Sequence, residues 1–202
     1  MIIRELDGLN DSVLEEYCKG RNAARKAASS VFFNEDVLTP SGLASNAGEE
    51  SRVLIGLLNQ GALVAGYQYV LGDEKRKRMM VSDVWVHPDF QHRGLASMLM
   101  ENAIAHGRSE GAELIALDVL ANNDSAIGLY KKHGFRRMGI YANVSGMSPS
   151  FRMVRFLEPS VASSLHQCFS WSTSRLKHSM LYGAGCRPTL LCRLLFGKGQ
   201  SQ

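Results

Sequence analysis

Apolar and polar positions switch between two periods along the first 157 residues, and each switch predicts an element. Ile2–Leu6 is a short strand candidate. Asn10 or Asp11 then suits a helix cap, and Val13, Leu14 and Tyr17 follow at helical spacing, which predicts a helix to about Ala28. Residues 34–51, rich in Asn, Ser, Gly and acids, read as loop. RVLIGLLNQ (52–60) and ALVAGYQYVL (62–71) are apolar runs parted by Gly61, the pattern of a hairpin. A charged turn, GDEKRKR (72–78), leads into a third strand, MMVSDVWV (79–86), which breaks at His87–Pro88.

Beyond Gly94 the spacing turns helical again to about His106, with Leu95, Met98, Leu99, Asn102, Ala103 and His106 on one flank. ELIALDVL (113–120) has the apolar density of a buried strand. Asn123 or Asp124 caps a helix AIGLYKKH, which Gly134 ends. FRRMGIYANV and SFRMVRFL supply two closing strands. The order β, α, βββ, α, β, α, ββ predicts an α/β or α+β fold, with helices on a mixed sheet.

The 202 residues suffice for one domain with its own core, and 45% hydrophobic with 21% charged residues is the composition of a globular protein. Charge divides the chain. Five of the 23 basic residues and none of the 19 acidic ones lie from Pro159 onward, so residues 1–158 carry 18 basic against 19 acidic side chains. A body so close to neutral lacks the basic footprint of a nucleic-acid binder. Residues 158–202 hold Cys168, Cys186 and Cys192 but no sustained period. They read as a basic extension, disordered or loosely helical. No Cys/His spacing points to a metal or a disulfide framework. The acidic N-terminus does not resemble a secretory leader, and no run approaches the ~18 apolar residues of a spanning helix. The expected setting is the cytoplasm.

Candidate chemistry begins at QHRGLASMLMENAIAHG (91–107). The first N–H groups of a helix lack intrahelical partners and sit at the positive end of its dipole. An anion docks there best when side chains are small, as Gly94, Ala96 and Ser97 are, and Arg93 adds a cation. These residues point to phosphate or pyrophosphate binding. A turn glycine alone would read the same way.

A second stretch, LDVLANNDSAIGLYKKHGF, runs from strand through an Asn-rich turn into a short helix. With VHPDFQHRGLA about 30 residues earlier, it resembles the GNAT superfamily of acyl-CoA-dependent N-acetyltransferases. Gln91-His92-Arg93-Gly94-Leu95-Ala96 fits that family's Q/R-x-x-G-x-G/A loop. Leu117-Asp118-Val119, Asn123, Ala126-Ile127, Leu129-Tyr130 and Gly134-Phe135 fit its second block. The resemblance is strongest over 53–135, extends over a domain of residues 1–157, and leaves 158–202 uncovered. It implies a mainly antiparallel mixed sheet that splays at the cofactor site between flanking helices. It implies acetyl-CoA as co-substrate, without a metal. Gln91, His92, Arg93, Gly94, Leu95, Ala96 and Ser97 would hold the pyrophosphate. The main chain of Val84, Trp85 and Val86 would pair with the pantetheine arm. Asn123 would touch the cofactor, and Tyr130 would protonate the departing thiolate. Homodimers are common in the superfamily.

For the base, the resemblance points first to Asp118, at the position where peptide N-terminal acetyltransferases carry Glu or His, with Asp83 and a solvent route as the alternatives. Inward positions of the strand before the loop look like Met80 and Ser82, which are not bases, and alternation sets Asp83 opposite Val84 and Val86 unless a bulge intervenes. His87 and His92 flank the loop as surface or cofactor-adjacent residues. The acceptor, a small-molecule or peptide amine or a lysine side chain, would enter between Tyr17–Phe33 and the hairpin Tyr141–Phe151. Peptide N-terminal acetyltransferases tend to have paired tyrosines in that last loop; Asn143-Val144-Ser145 stand here instead. An idle acyl-CoA-binding module that regulates or scaffolds is the alternative reading.

Overall fold

A computed structural model of the chain describes residues 1–6, 11–31, 37–45, 52–72, 77–141 and 149–157. The expected extension at 158–202 and the Asn143-Val144-Ser145 loop lie outside these residues. Seven strands, β1 (Ile2–Glu5), β2 (Arg52–Asn59), β3 (Ala62–Leu71), β4 (Arg78–Val86), β5 (Leu114–Leu120), β6 (Arg136–Tyr141) and β7 (Ser150–Phe156), form one sheet in the order β1-β2-β3-β4-β5-β7-β6. Every neighbouring pair is antiparallel except β4–β5. The β2–β3 turn places Gln60 (φ 51°) and Gly61 (φ 87°) both in the left-handed region, as a two-residue hairpin of matching twist requires.

Among the described residues four α-helices cover the sheet: α1 (Asp11–Ala27), α2 (Pro40–Ser45), α3 (Leu95–Ser109) and α4 (Asp124–Lys132). The main core lies under α3 and α4, where Leu99, Met100, Ile104, Ile127 and Tyr130 meet Tyr67, Met79, Val81, Ile115, Leu117 and Met153 from the strands. On the opposite face Tyr17 and Cys18 of α1 and Leu43 of α2 pack on Leu54, Leu63 and Trp85.

The structure corrects two expectations. Residues 34–51 are not all loop: Thr39 Oγ1 accepts the Gly42 N–H at 3.1 Å, Pro40 opens α2, and Leu43 is buried. In α3 the buried stripe is Leu95, Leu99, Met100, Ala103, Ile104 and Gly107, whereas Met98 is exposed. The stripe is rotated toward Met100, Ile104 and Gly107, all of them buried, which leaves Met98 outside it. Asn102 and His106 border the stripe and meet the hydroxyls of Tyr67 and Tyr69, and the His106 ring also packs on that of Tyr69, with centroids 4.8 Å apart.

Candidate active site

The parallel ladder between β4 and β5 registers only four pairs, from Arg78↔Leu114 to Val81↔Leu117. Both strands continue beyond it, β4 to Val86 and β5 to Leu120, each paired with its outer neighbour. The sheet therefore opens into a wedge, and the inner edges of residues 82–86 and 118–120 face each other without a shared ladder. A β-bulge starts it. Gly66 faces Trp85 and Gln68 faces Ser82, so Tyr67 alone stands against Asp83 and Val84. Val84 and Val86 pack on the α3–α4 core, and Trp85 is buried toward α1. Their main chain forms the edge of the wedge.

At the end of β4, a single 3₁₀ turn (Pro88–Phe90) with His87 as its cap leads to an exposed loop, Gln91–Gly94. Gln91 Nε2 donates to the Val86 carbonyl at 3.3 Å. Arg93 donates to the Asp89 carbonyl at 2.8 Å and lies over the Phe90 ring, 5.1 Å from its centroid. His92 (φ 59°) and Gly94 (φ 79°) both adopt left-handed backbone. Gly94 is the N-cap of α3, has no side chain with which to cap, and would carry a Cβ into space with nothing within 4 Å. The first turn, Leu95-Ala96-Ser97, thus points its N–H groups at an open cradle. This environment favours an anion.

The second motif completes the wedge. Asn123 caps α4, its Oδ1 accepting the Ala126 N–H at 3.1 Å, so any ligand contact falls to its Nδ2. Asn122 Nδ2 donates to the Val31 carbonyl at 3.3 Å, tying this turn to the one that follows α1. Tyr130, only 7% exposed, belongs to the same core cluster as Val119, Val84 and Val86, with the Phe135 ring 6.0 Å away. Burial pushes its phenol up to about 12, so it stays protonated through neutral and mildly alkaline pH.

Both candidate bases turn out to be ion-paired on the α1 side of the sheet. Asp118 stands directly opposite Arg152 in the β5–β7 register and accepts from Arg152 Nε and one terminal nitrogen at 2.6 and 2.5 Å. The arginine side chain is 2% exposed and the carboxylate 29%. Asp83, with φ 48° in the bulge, accepts from both Nε and a terminal nitrogen of Arg21 (3.4 and 3.3 Å) and from Gln68 Nε2 (3.0 Å); Arg25 approaches to 3.8 Å. Asp83 does fall opposite Val84 and Val86, as alternation requires. Both carboxylates are thus taken up by buried guanidinium groups on the face away from Val84 and Val86, which argues against either acting as the base. Arg152 and Arg21 were not singled out in the sequence. Arg152 becomes visible only once β5 and β7 are paired, whereas Arg21 had a local signal in its helical spacing from Tyr17.

Among the described residues no helix is long and apolar enough to cross a membrane. Residues 13–135 match the model of the acetyltransferase (GNAT) family. A stretch of 61 residues is 41% identical to the ribosomal protein bS18-alanine N-acetyltransferase of Salmonella typhimurium, covering 30% of this chain and 41% of that protein. The matched stretch therefore spans about two fifths of this relative's length. Among solved structures, the ribosomal-protein-S18-alanine N-acetyltransferase of Escherichia coli superposes with a TM-score of 0.63 at 22% identity, over 80% of this chain and 96% of that one. An aminoglycoside 6'-N-acetyltransferase complexed with coenzyme A superposes with a TM-score of 0.59 at 15% identity, over 79% and 98%. At these identities the two structures speak for the fold.

Proposed function

We propose that this chain, which belongs to the GNAT family of acetyltransferases, moves an acetyl group from acetyl-CoA to a primary amine. The observation that carries the reading is the wedge: the β4–β5 ladder stops at Val81↔Leu117, beside the uncapped start of α3 and the buried phenol of Tyr130. The chain's own groups fit such a donor. An open cradle at Gly94 suits a diphosphate, and a bare strand edge at 84–86 suits an extended amide-bearing arm. Acetyl-CoA supplies an activated acyl group and a thiolate leaving group.

The residues then divide the work. Amides of Gln91–Ser97 hold the diphosphate, with Arg93 fixed beside it. The main chain of Val84, Trp85 and Val86 aligns the arm, and one N–H there polarises the thioester carbonyl, an effect on the order of 10²–10³ in rate for such donors. The amine nitrogen forms the C–N bond as the C–S bond breaks, and the sulfur takes the electron pair. Tyr130 meets that charge. A phenol near 12 facing a thiol of ~8.5 gives up its proton uphill by about 5 kcal/mol, so it hydrogen-bonds the thiolate until water restores the proton.

With Asp118 and Asp83 held in ion pairs, the amine must arrive neutral and lose its proton to solvent. At pH 7 roughly a seventh of an α-amine of pKa ~7.8 is neutral, against about 0.04% of a lysine of pKa ~10.4. That difference of about 300-fold favours an α-amino acceptor. The bS18-alanine relative is named for such an acceptor. The test is thiol release from acetyl-CoA by the full chain at pH 7, with an unblocked peptide and an N-blocked lysine peptide in parallel. Turnover of the unblocked peptide is expected. Equal rates on both would mean that a base is present and that the ion pairs were misjudged. Acetyl-CoA binding without turnover on any amine would favour the idle module.

A further inference from the structure

Asp83 occupies a backbone conformation that a non-glycine residue avoids, with φ 48° at the bulge from which the wedge opens. Aspartate tolerates the left-handed region better than most residues, yet something must hold it there. Three side chains do. Arg21 grips one carboxylate oxygen, Gln68 the other, and Arg25 lies at 3.8 Å. Arg21 is only 3% exposed and Gln68 1%. Each is anchored in turn: Gln68 Oε1 accepts from Arg52 at 3.1 Å, and Arg21 donates to Asn22 Oδ1, the atom that also accepts the Leu38 N–H.

The same face of α1 holds the other side of the bulge. Two ring atoms of Trp85, two residues beyond Asp83, lie 2.6 Å from where a Cβ on Gly20 would stand. Tyr17 meets the Trp85 ring edge-on, at 5.3 Å and 89°. Tyr17, Gly20, Arg21 and Arg25 fall on one stripe of α1, at i, i+3, i+4 and i+8. A glycine inside a helix costs about 1 kcal/mol relative to alanine. Here it makes room for the tryptophan.

We infer that the Arg21–Asp83–Gln68 cluster, laid against α1, is a positioning device that fixes the β4 bulge and so aims the main chain of residues 84–86 into the wedge. Asp83 acts through the backbone and takes no proton from the amine. The inference rests on the acetyl-transfer reading for its kinetic consequence only; the geometry of the bulge stands without it.

Asp83→Asn and Arg21→Gln, singly and combined, test the inference. Asparagine keeps the tolerance for left-handed backbone and an oxygen for Gln68, so folding is expected to survive. A misaligned edge lowers kcat by on the order of 10–100-fold, because displacement by about 1 Å costs roughly that much. Affinity for acetyl-CoA should fall less than kcat, because the α3 loop still holds the diphosphate. The two single variants should lose similar amounts and the double variant little more, since either one releases the same bulge. If Asp83→Asn abolishes turnover while Arg21→Gln keeps it, Asp83 is the base and the inference falls. Amide hydrogen exchange at residues 82–86 provides a second readout that needs no turnover. Faster exchange in both variants supports the brace, and unchanged exchange with unchanged kcat overturns it. Absence of turnover in the unaltered chain would count against the acetyl-transfer reading alone, with the exchange result still deciding the brace.

Discussion

Replacing Gly94 separates backbone strain from ligand contact, because the fold supplies its own control. Gly94 (φ 79°) and Gly61 (φ 87°) share the left-handed region, and a Cβ at either meets no heavy atom within 4 Å. Alanine at each should therefore cost a similar amount, about 1–2 kcal/mol of left-handed strain with no steric addition. For a protein of this size that is a fall in Tm of roughly 2–8 °C. Their consequences for binding should differ. At Gly61 the methyl projects from a hairpin turn. At Gly94 it projects into the cradle formed by the loop and the first turn of α3. Gly94→Ala should weaken acetyl-CoA binding by about tenfold, or 1.4 kcal/mol. Gly94→Glu should weaken it more, since it sets a carboxylate against a diphosphate. Titration calorimetry with thermal melts on Gly94→Ala, Gly94→Glu and Gly61→Ala reads both effects. Affinity that falls equally in the Gly61 and Gly94 variants would show that stability alone was being measured. Unchanged affinity in Gly94→Glu would remove the loop from the binding site.

Tyr130→Phe should lower kcat by about 10²–10³ while leaving acetyl-CoA affinity nearly unchanged, as loss of a hydrogen-bond donor to developing charge does; a full rate in this variant would dismiss the phenol. The phenol also links folding to pH. Its folded value of about 12 lies above the unfolded 10, so its contribution is complete below pH 10 and disappears as pH climbs toward 12, about 3 kcal/mol in all. Urea titrations of the unaltered chain and Tyr130→Phe should diverge only above pH 10; divergence already at pH 8 would contradict the burial of the ring. Asp118→Asn strands Arg152 in the sheet and should cost about 3 kcal/mol of stability, with a loss of rate that is the same at pH 7 and pH 9. A defect at pH 7 that closes by pH 9 would instead return Asp118 to the role of base. Deleting residues 158–202 should leave acetyl-CoA binding intact, and failure of the truncated chain to bind would place part of the site there.

The elements that build the wedge were legible because each carries a local signal. Gly94 and Gly134 mark helix ends with left-handed backbone, Gly61 marks a hairpin, and Asn123 marks a cap. Helix α2 was missed although Thr39-Pro40 is a cap followed by a first-turn proline; six residues burying one leucine show no period. Met98 lies one position off the buried stripe of Leu95, Leu99, Met100, Ala103 and Ile104, and helical spacing alone does not separate those two neighbouring flanks. The ion pairs lay furthest from view. Asp118 and Arg152 are 34 residues apart and meet only through the β5–β7 register. Asp83 reads as a free strand carboxylate until the fold lays Arg21, 62 residues earlier, against that face of β4.

A wedge that holds acetyl-CoA and passes its acetyl group to a neutral amine must yield thiol and acetylated amine together. The most direct measurement incubates the full chain with acetyl-CoA and an unblocked peptide at pH 7, following free thiol and acetylated peptide together. Thiol and product in equal amounts, both falling at least a hundredfold in Tyr130→Phe, are the predicted result, on the scale of a lost hydrogen-bond donor to developing charge (about 10²–10³). Thiol released without acetylated amine, or neither appearing while acetyl-CoA binds, would contradict it.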